Sequence, residues 1–158
     1  MNGLILARAL HILAVVIWIG GVSMVTLIVL PSVRSSELGQ DRLRALQAIE
    51  RRFVWHARTA VIVVGVTGFY MTARLDLWPR FQLARFWWMH AMVGLWLIFA
   101  VVLFLLEPLR GLHSRHDTEQ GPASDRVLAR LYSGHVALLA LAVVTVLGAV
   151  AGSHGWWL

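Results

Sequence analysis

Hydrophobic positions in this chain neither alternate nor form a single helical stripe. They gather into four nearly unbroken runs: Leu4 to Leu30, Phe53 to Ala73, Phe86 to Leu106 and Leu131 to Ser153. Each run is near the ~20 residues that an α-helix needs to cross ~30 Å of hydrocarbon. Lipid offers no partner to an open backbone amide, so such runs are expected to be helical. The pattern predicts an all-α fold: an integral membrane bundle of four transmembrane helices running up-down-up-down, one membrane domain over residues 1–158. The second run is the least apolar, because Arg58 lies four residues beyond Val54. The first run is too long for the apolar core of a signal peptide. Arg8 is its one early positive side chain and no small-residue cleavage site follows, so it is read as a retained span.

The connections are polar. Ser32 to Arg52 is expected to be partly an amphipathic surface helix, Arg74 to Arg85 a short link around Trp78-Pro79, and Glu107 to Arg130 an irregular loop with Pro108, Gly111, Gly121 and Pro122. Composition agrees with a membrane protein: 59% of residues are hydrophobic and the mean hydropathy is +0.73, above a soluble domain. With no cysteine, disulfides and thiolate metal sites are excluded. The net charge of +6 comes from arginine alone, since lysine is absent. A basic chain can bind nucleic acid, but these arginines sit between apolar runs, so membrane topology accounts for them and no nucleic-acid partner is expected. With four spans, Arg8, Arg74, Arg80 and Arg85 share one side, whereas Arg34, Arg42, Arg44, Arg51, Arg52, Arg58, Arg110, Arg115, Arg126 and Arg130 share the other. The positive-inside rule then predicts a multi-pass protein of the bacterial inner membrane with both termini periplasmic. Trp78, Trp87-Trp88 and Trp156-Trp157 would form the aromatic belt on that outer side.

Each span carries one histidine near its N-terminal end: His11, His56, His90 and His135. Because successive spans alternate in direction, His11 and His90 fall at the outer level, and His56 and His135 at the inner level. His56 follows His11 by 45 residues and His135 follows His90 by 45, with 79 between the halves. That spacing suggests a duplicated two-helix unit, residues 1–79 and 80–158, in a parallel repeat. A two-fold axis along the membrane normal would set the first helix across from the third and the second across from the fourth. A lone histidine in a membrane helix can simply bond to a neighbour; four of them, level-matched in pairs, point to metal ligation. Two imidazoles at one depth suit the axial positions of a flat haem. Gly65, Gly68, Gly148 and Gly152 would leave room for such a plane at the outer level, with Gly20, Gly21, Ser23 and Thr26 below. Arg8, Arg52, Arg58 and Arg85 are the candidates for pairing with its propionates. Met89 and Met92 flank His90 and are soft enough for copper, and His113, His116, Asp117 and Glu119 form a possible loop site.

The stretch "ALHILAVVIWIGG", Ala9 to Gly21, followed by Leu30-Pro31 at the end of the same run, resembles the first helix of CopD-like membrane proteins and of HemJ-type protoporphyrinogen oxidases. The positions that carry the likeness are His11, Trp18 and Gly20-Gly21. The resemblance implies a small membrane protein holding b-type haem through span histidines, with copper transport or porphyrinogen oxidation as alternatives. HemJ-type enzymes use a lysine in a later helix, which this chain lacks, and CopD proteins are larger.

Together these readings predict a dihaem b-type cytochrome, with His11 and His90 on one haem and His56 and His135 on the other, and irons about 18 Å apart from ~1.5 Å of rise per residue. Bis-histidine iron has no open position, which favours electron transfer over oxygen chemistry. A quinone or a periplasmic redox partner would exchange electrons with it, membrane lipid surrounds it, and a homodimer is compatible with it. A haem-dependent oxidoreductase activity stays open.

Overall fold

The computed structural model describes residues 2–35, 42–108 and 122–155. Among these residues the fold is all-α, without strands, with α1 over Asn2–Met24, α2 over Leu30–Arg34, α3 over Arg42–Arg74, α4 over Trp87–Val101 and α5 over Pro122–Ser153. A π-helical turn, Val25–Val29, joins α1 to α2, and a second, Val102–Leu106, prolongs α4. Four stretches are long and apolar enough to cross a membrane: Asn2–Arg34, Arg44–Arg74, Ala84–Leu106 and Ala129–Ser153. Their mean hydropathies are 2.6, 1.3, 2.5 and 2.4, so the span holding Arg58 is the least apolar, as its sequence implies.

Two connections differ from the sequence expectation. The charged stretch from Arg42 to Arg52 is no separate surface helix but the first turns of α3. The connection after Glu107 becomes helical at Pro122, well before Leu131; proline suits a first helical turn because its missing N–H has no partner to lose there. Residues 109–121, with His113, His116, Asp117 and Glu119, lie outside the described residues, as do Trp156 and Trp157. Between α3 and α4 the chain turns through Asp76, at φ 49°, and two short 3₁₀ segments, Trp78–Gln82 and Ala84–Phe86.

Both π turns have a local cause. Each is followed at once by a residue and then a proline: Leu30-Pro31 in one case, Glu107-Pro108 in the other. A proline within a helix has no N–H and its ring crowds the carbonyl one turn back. A single wide turn relieves both effects by shifting the register. Leu30 N–H accordingly bonds to Val25 O, and Glu107 N–H to Val102 O.

The helices pack in a square. α1 lies most extensively along α3, and α4 lies along α5; α1 also meets α5, and α3 meets α4. The first span is therefore diagonal to the third, and side chains close that diagonal: Trp18 and Phe99 meet edge to face at 4.8 Å between ring centroids. The contacts also fix the directions. His11 of α1 reaches Thr67 near the end of α3, while Gly148 of α5 lies under Trp87 at the start of α4.

The interior stripe of α1 is Ala7, Ala14, Trp18 and Val22, at helical spacing. Around Trp18 the core is lined by Ala14, Ala57, Ala60 and Ala142. Small residues let helices approach closely where lipid removes the hydrophobic drive to associate. A second cluster, Val25, Leu30, Val33 and Leu46, closes the arginine-rich end of the bundle. The outward faces expose Leu6, Ile12, Val16, Val66, Leu105 and Leu147 among many others. A soluble monomer does not tolerate so much exposed apolar surface; a hydrocarbon environment does.

Candidate functional site

His11 continues the inward stripe of α1, one turn after Ala7 and just before Ala14. Its Nδ1 lies 2.9 Å from Thr67 Oγ1 on α3. The Thr67 hydroxyl is already committed, since it donates to Val63 O at 2.6 Å. Its oxygen therefore accepts from His11, which places a proton on Nδ1 and, in the neutral ring, none on Nε2. The lone pair is left on Nε2. Gly68 gives the ring its seat: a Cβ there would stand 3.3 Å from His11 Cε1.

The same proton placement recurs on the second and fourth spans by a different route. His56 Nδ1 donates to Arg52 O at 3.0 Å, and His135 Nδ1 donates to Leu131 O at 2.9 Å. A carbonyl oxygen can only accept, so in the neutral ring of each the lone pair falls on Nε2. Metal-ligating histidines are commonly oriented in this way, with one nitrogen donating to an oxygen and the other on the metal.

The rings do not all face the core. His11 is half-buried and turned towards α3. His135 is half-buried. His56 is exposed and lines an apolar groove of about 350 Å³ on the outside of α1 and α3, with Leu10, Leu13, Ile17, Trp55, Thr59 and Val63. His90 is exposed on α4, and its ring meets Phe81 edge-on at 5.2 Å. Met89 is buried whereas its neighbour His90 is not, so that thioether and that imidazole are presented to different surroundings. Among the described residues, no group of three or more His, Cys, Asp or Glu side chains is placed to hold a metal ion.

The four glycines expected to leave room for a flat cofactor at the outer level are seats for this chain's own rings. A Cβ at Gly65 would come within 2.7 Å of the Trp96 indole. That indole lies against α3 and its Nε1–H donates to Val61 O at 2.8 Å, one turn before the glycine. Gly148 accommodates Trp87, Gly152 accommodates Trp88, and Gly68 accommodates His11. The interior also holds donors without acceptors. Among the described residues, the buried Nε1–H groups of Trp18 and Trp88 have no hydrogen-bond partner.

The four arginines behave differently from one another. Arg8 and Arg52 are exposed, and it is the backbone carbonyl of Arg52 that meets His56. Arg85 holds its guanidinium over Phe86, 5.1 Å from the ring centroid. Arg58 is half-buried and donates from Nε to Leu103 O on α4 at 3.0 Å. This bond follows from the second π turn. The amide one α-turn after Leu103 is Glu107 N–H, which is taken by Val102 O. The next residue, the partner in the wider register, is Pro108, which has no N–H. Leu103 O is thus left without a helical donor, and Arg58 supplies one.

Sequence reasoning missed Thr67 and Trp96, and picked out Trp18 only through the likeness of the first helix, not as a core ring. Thr67 was within reach: counting back along an antiparallel α3 places it at the level of His11. Nothing in sequence announces which indole will lie on which glycine.

The chain matches no protein-family model, no curated protein and no solved structure.

Proposed function

We propose that this protein binds haem b in the membrane through its span histidines, with His11 and His90 serving one haem and His56 and His135 the other. We read it as a cytochrome that moves electrons between a quinone or a small redox partner and the opposite face of the membrane. The observation that carries the reading is the proton placement at His11: Thr67 holds Nδ1–H and leaves Nε2 as a base on the inward stripe of α1. The donor set suits the cofactor. It is imidazole without thiolate, and three of the four rings have Nε2 free by the identity of their Nδ1 partners. The unpaired indole donors of Trp18 and Trp88 add two groups able to meet an acceptor within the bundle.

Haem, when bound, supplies a one-electron ferric–ferrous couple. The chain's residues would orient the ligand rings, exclude water with the Trp18–Phe99 layer, and offer Arg8, Arg52 and Arg85 to the propionates. The pairing is the finer part of the proposal. It asks for coordination by His56 and His90, both of which lie on exposed faces of their helices.

The test is the visible spectrum of the protein purified in detergent, before and after dithionite. A Soret band that shifts on reduction, with sharp α and β bands, is expected. His11→Ala and His56→Ala should each remove about half of the haem. Colourless protein overturns the reading. Full haem retention in the His56 and His90 variants, with loss in the His11 variant, overturns the pairing while leaving His11 as a ligand.

A further inference from the structure

Arg58 places a permanent positive charge inside a candidate span. Nε–H meets Leu103 O at 3.0 Å. The guanidinium carbon stands 5.6 Å from the Trp55 ring centroid on its own helix and 5.8 Å from that of Phe104 on α4. Among the described residues no carboxylate pairs with it, and its terminal amino groups have no protein acceptor. The bond to Leu103 O and the two rings hold the guanidinium between α3 and α4. Trp55 is 68% exposed and Phe104 42%, so both rings of the clamp lie at the outer surface of the bundle. A cation in hydrocarbon without a counter-charge is costly. Orphan carbonyls can be served by neutral donors, so satisfying Leu103 O does not by itself require an arginine.

From this we infer that Arg58, clamped by the Leu103 carbonyl and flanked by Trp55 and Phe104, is a seat for the phosphate of an anionic membrane lipid. The seat lies at the end of the bundle that carries Arg34, Arg52 and Pro108. Guanidinium is planar and presents its terminal N–H groups as a fork, which matches a phosphodiester through paired, charge-assisted hydrogen bonds. The aromatic walls suit the interfacial depth, where an indole has one side in hydrocarbon and the other near headgroups. A long arginine stem can reach a headgroup from a position below it. The inference is independent of haem, because it uses neither a histidine nor a porphyrin.

The experiment is native mass spectrometry of the full chain as purified in detergent, with added phosphatidylglycerol, phosphatidylcholine, dodecanoate or inorganic phosphate. The wild type should retain phosphatidylglycerol several-fold more than phosphatidylcholine. Arg58→Lys keeps the charge and a donor for Leu103 O but loses the fork, and should lower phosphatidylglycerol retention several-fold while the protein stays folded. Arg58→Gln should lower it at least tenfold, and Arg34→Gln should leave it unchanged. Retention equal to wild type in both Arg58 variants overturns the inference, as does equal retention of phosphatidylcholine. Stronger retention of dodecanoate than of phosphatidylglycerol would assign the seat to a carboxylate instead, and protection by inorganic phosphate alone would remove the lipid from it.

Discussion

Gly65 and Gly94 are the same residue in similar helices, yet they differ in what stands opposite. A methyl at Gly94 meets nothing within 4 Å, whereas one at Gly65 meets the Trp96 indole at 2.7 Å. Trp96 cannot yield freely, because moving it breaks the bond to Val61 O. Gly65→Ala should therefore destabilise the bundle by roughly 1–3 kcal/mol through overpacking. Gly94→Ala should be neutral or stabilising by about 0.5–1 kcal/mol from helix preference alone. Thermal unfolding in detergent, read by circular dichroism, checks both; equal melting temperatures for the two variants would contradict the packing argument. Thr67 offers a residue-scale test of the proposed ligand. Thr67→Val keeps the shape and removes the acceptor that holds His11 Nδ1–H. If His11 binds iron, the loss should be about 10–100-fold in haem affinity, measured by haem transfer to an acceptor protein; unchanged affinity would detach Thr67 from the site. The histidine at position 11 could be picked out in the sequence as an anomaly in an apolar run. Its proton could not, because that depends on where the hydroxyl of a residue on another helix sends its own hydrogen.

At the level of elements, the proline at the end of a span decides more than where the helix stops. Pro108 widens the preceding turn, strands Leu103 O and makes room for an arginine bond from the neighbouring helix. Arg58→Leu should cost about 1–3 kcal/mol, the penalty for leaving a buried acceptor unpaired. Pro108→Ala restores an N–H to the turn. In the double variant the cost of Arg58→Leu should fall, giving a coupling of about 0.5–3 kcal/mol in a double-mutant cycle. Strictly additive effects in unfolding measurements would show that Leu103 O finds its donor elsewhere. Pro31 and its own π turn, Val25–Val29, repeat the widened turn on the first span. The turns themselves were readable only in hindsight. A proline announces a defect in the ladder, but whether the chain kinks, breaks or widens depends on the neighbours that can serve the freed carbonyl.

At the scale of the molecule, the four span-length helical stretches among the described residues have outward surfaces as apolar as their inward ones. Such a chain has little reason to fold this way in water, where the exposed leucines and valines would drive aggregation. Its orientation can be measured directly because the chain contains no cysteine. Single Ser35→Cys and Ser153→Cys variants lie at opposite ends of the bundle, so an impermeant maleimide should label them from opposite sides of sealed inverted vesicles. Labelling of both from one side would refute the four-span arrangement. Cytoplasmic exposure of Ser35 is the outcome expected from the arginine distribution. The number, length and helical nature of the spans were determined by composition along the chain, since lipid imposes backbone pairing within each segment and sets a length for it. The square packing, the partner of His11, the rings that occupy the glycines and the carbonyl that receives Arg58 were decided only by tertiary structure. The reason is physical: in an all-apolar helix every face is equally greasy, so hydrophobicity does not choose the inward face. Shape complementarity between indoles and glycines, and the few hydrogen bonds left unsatisfied by helix formation, make that choice when the helices meet.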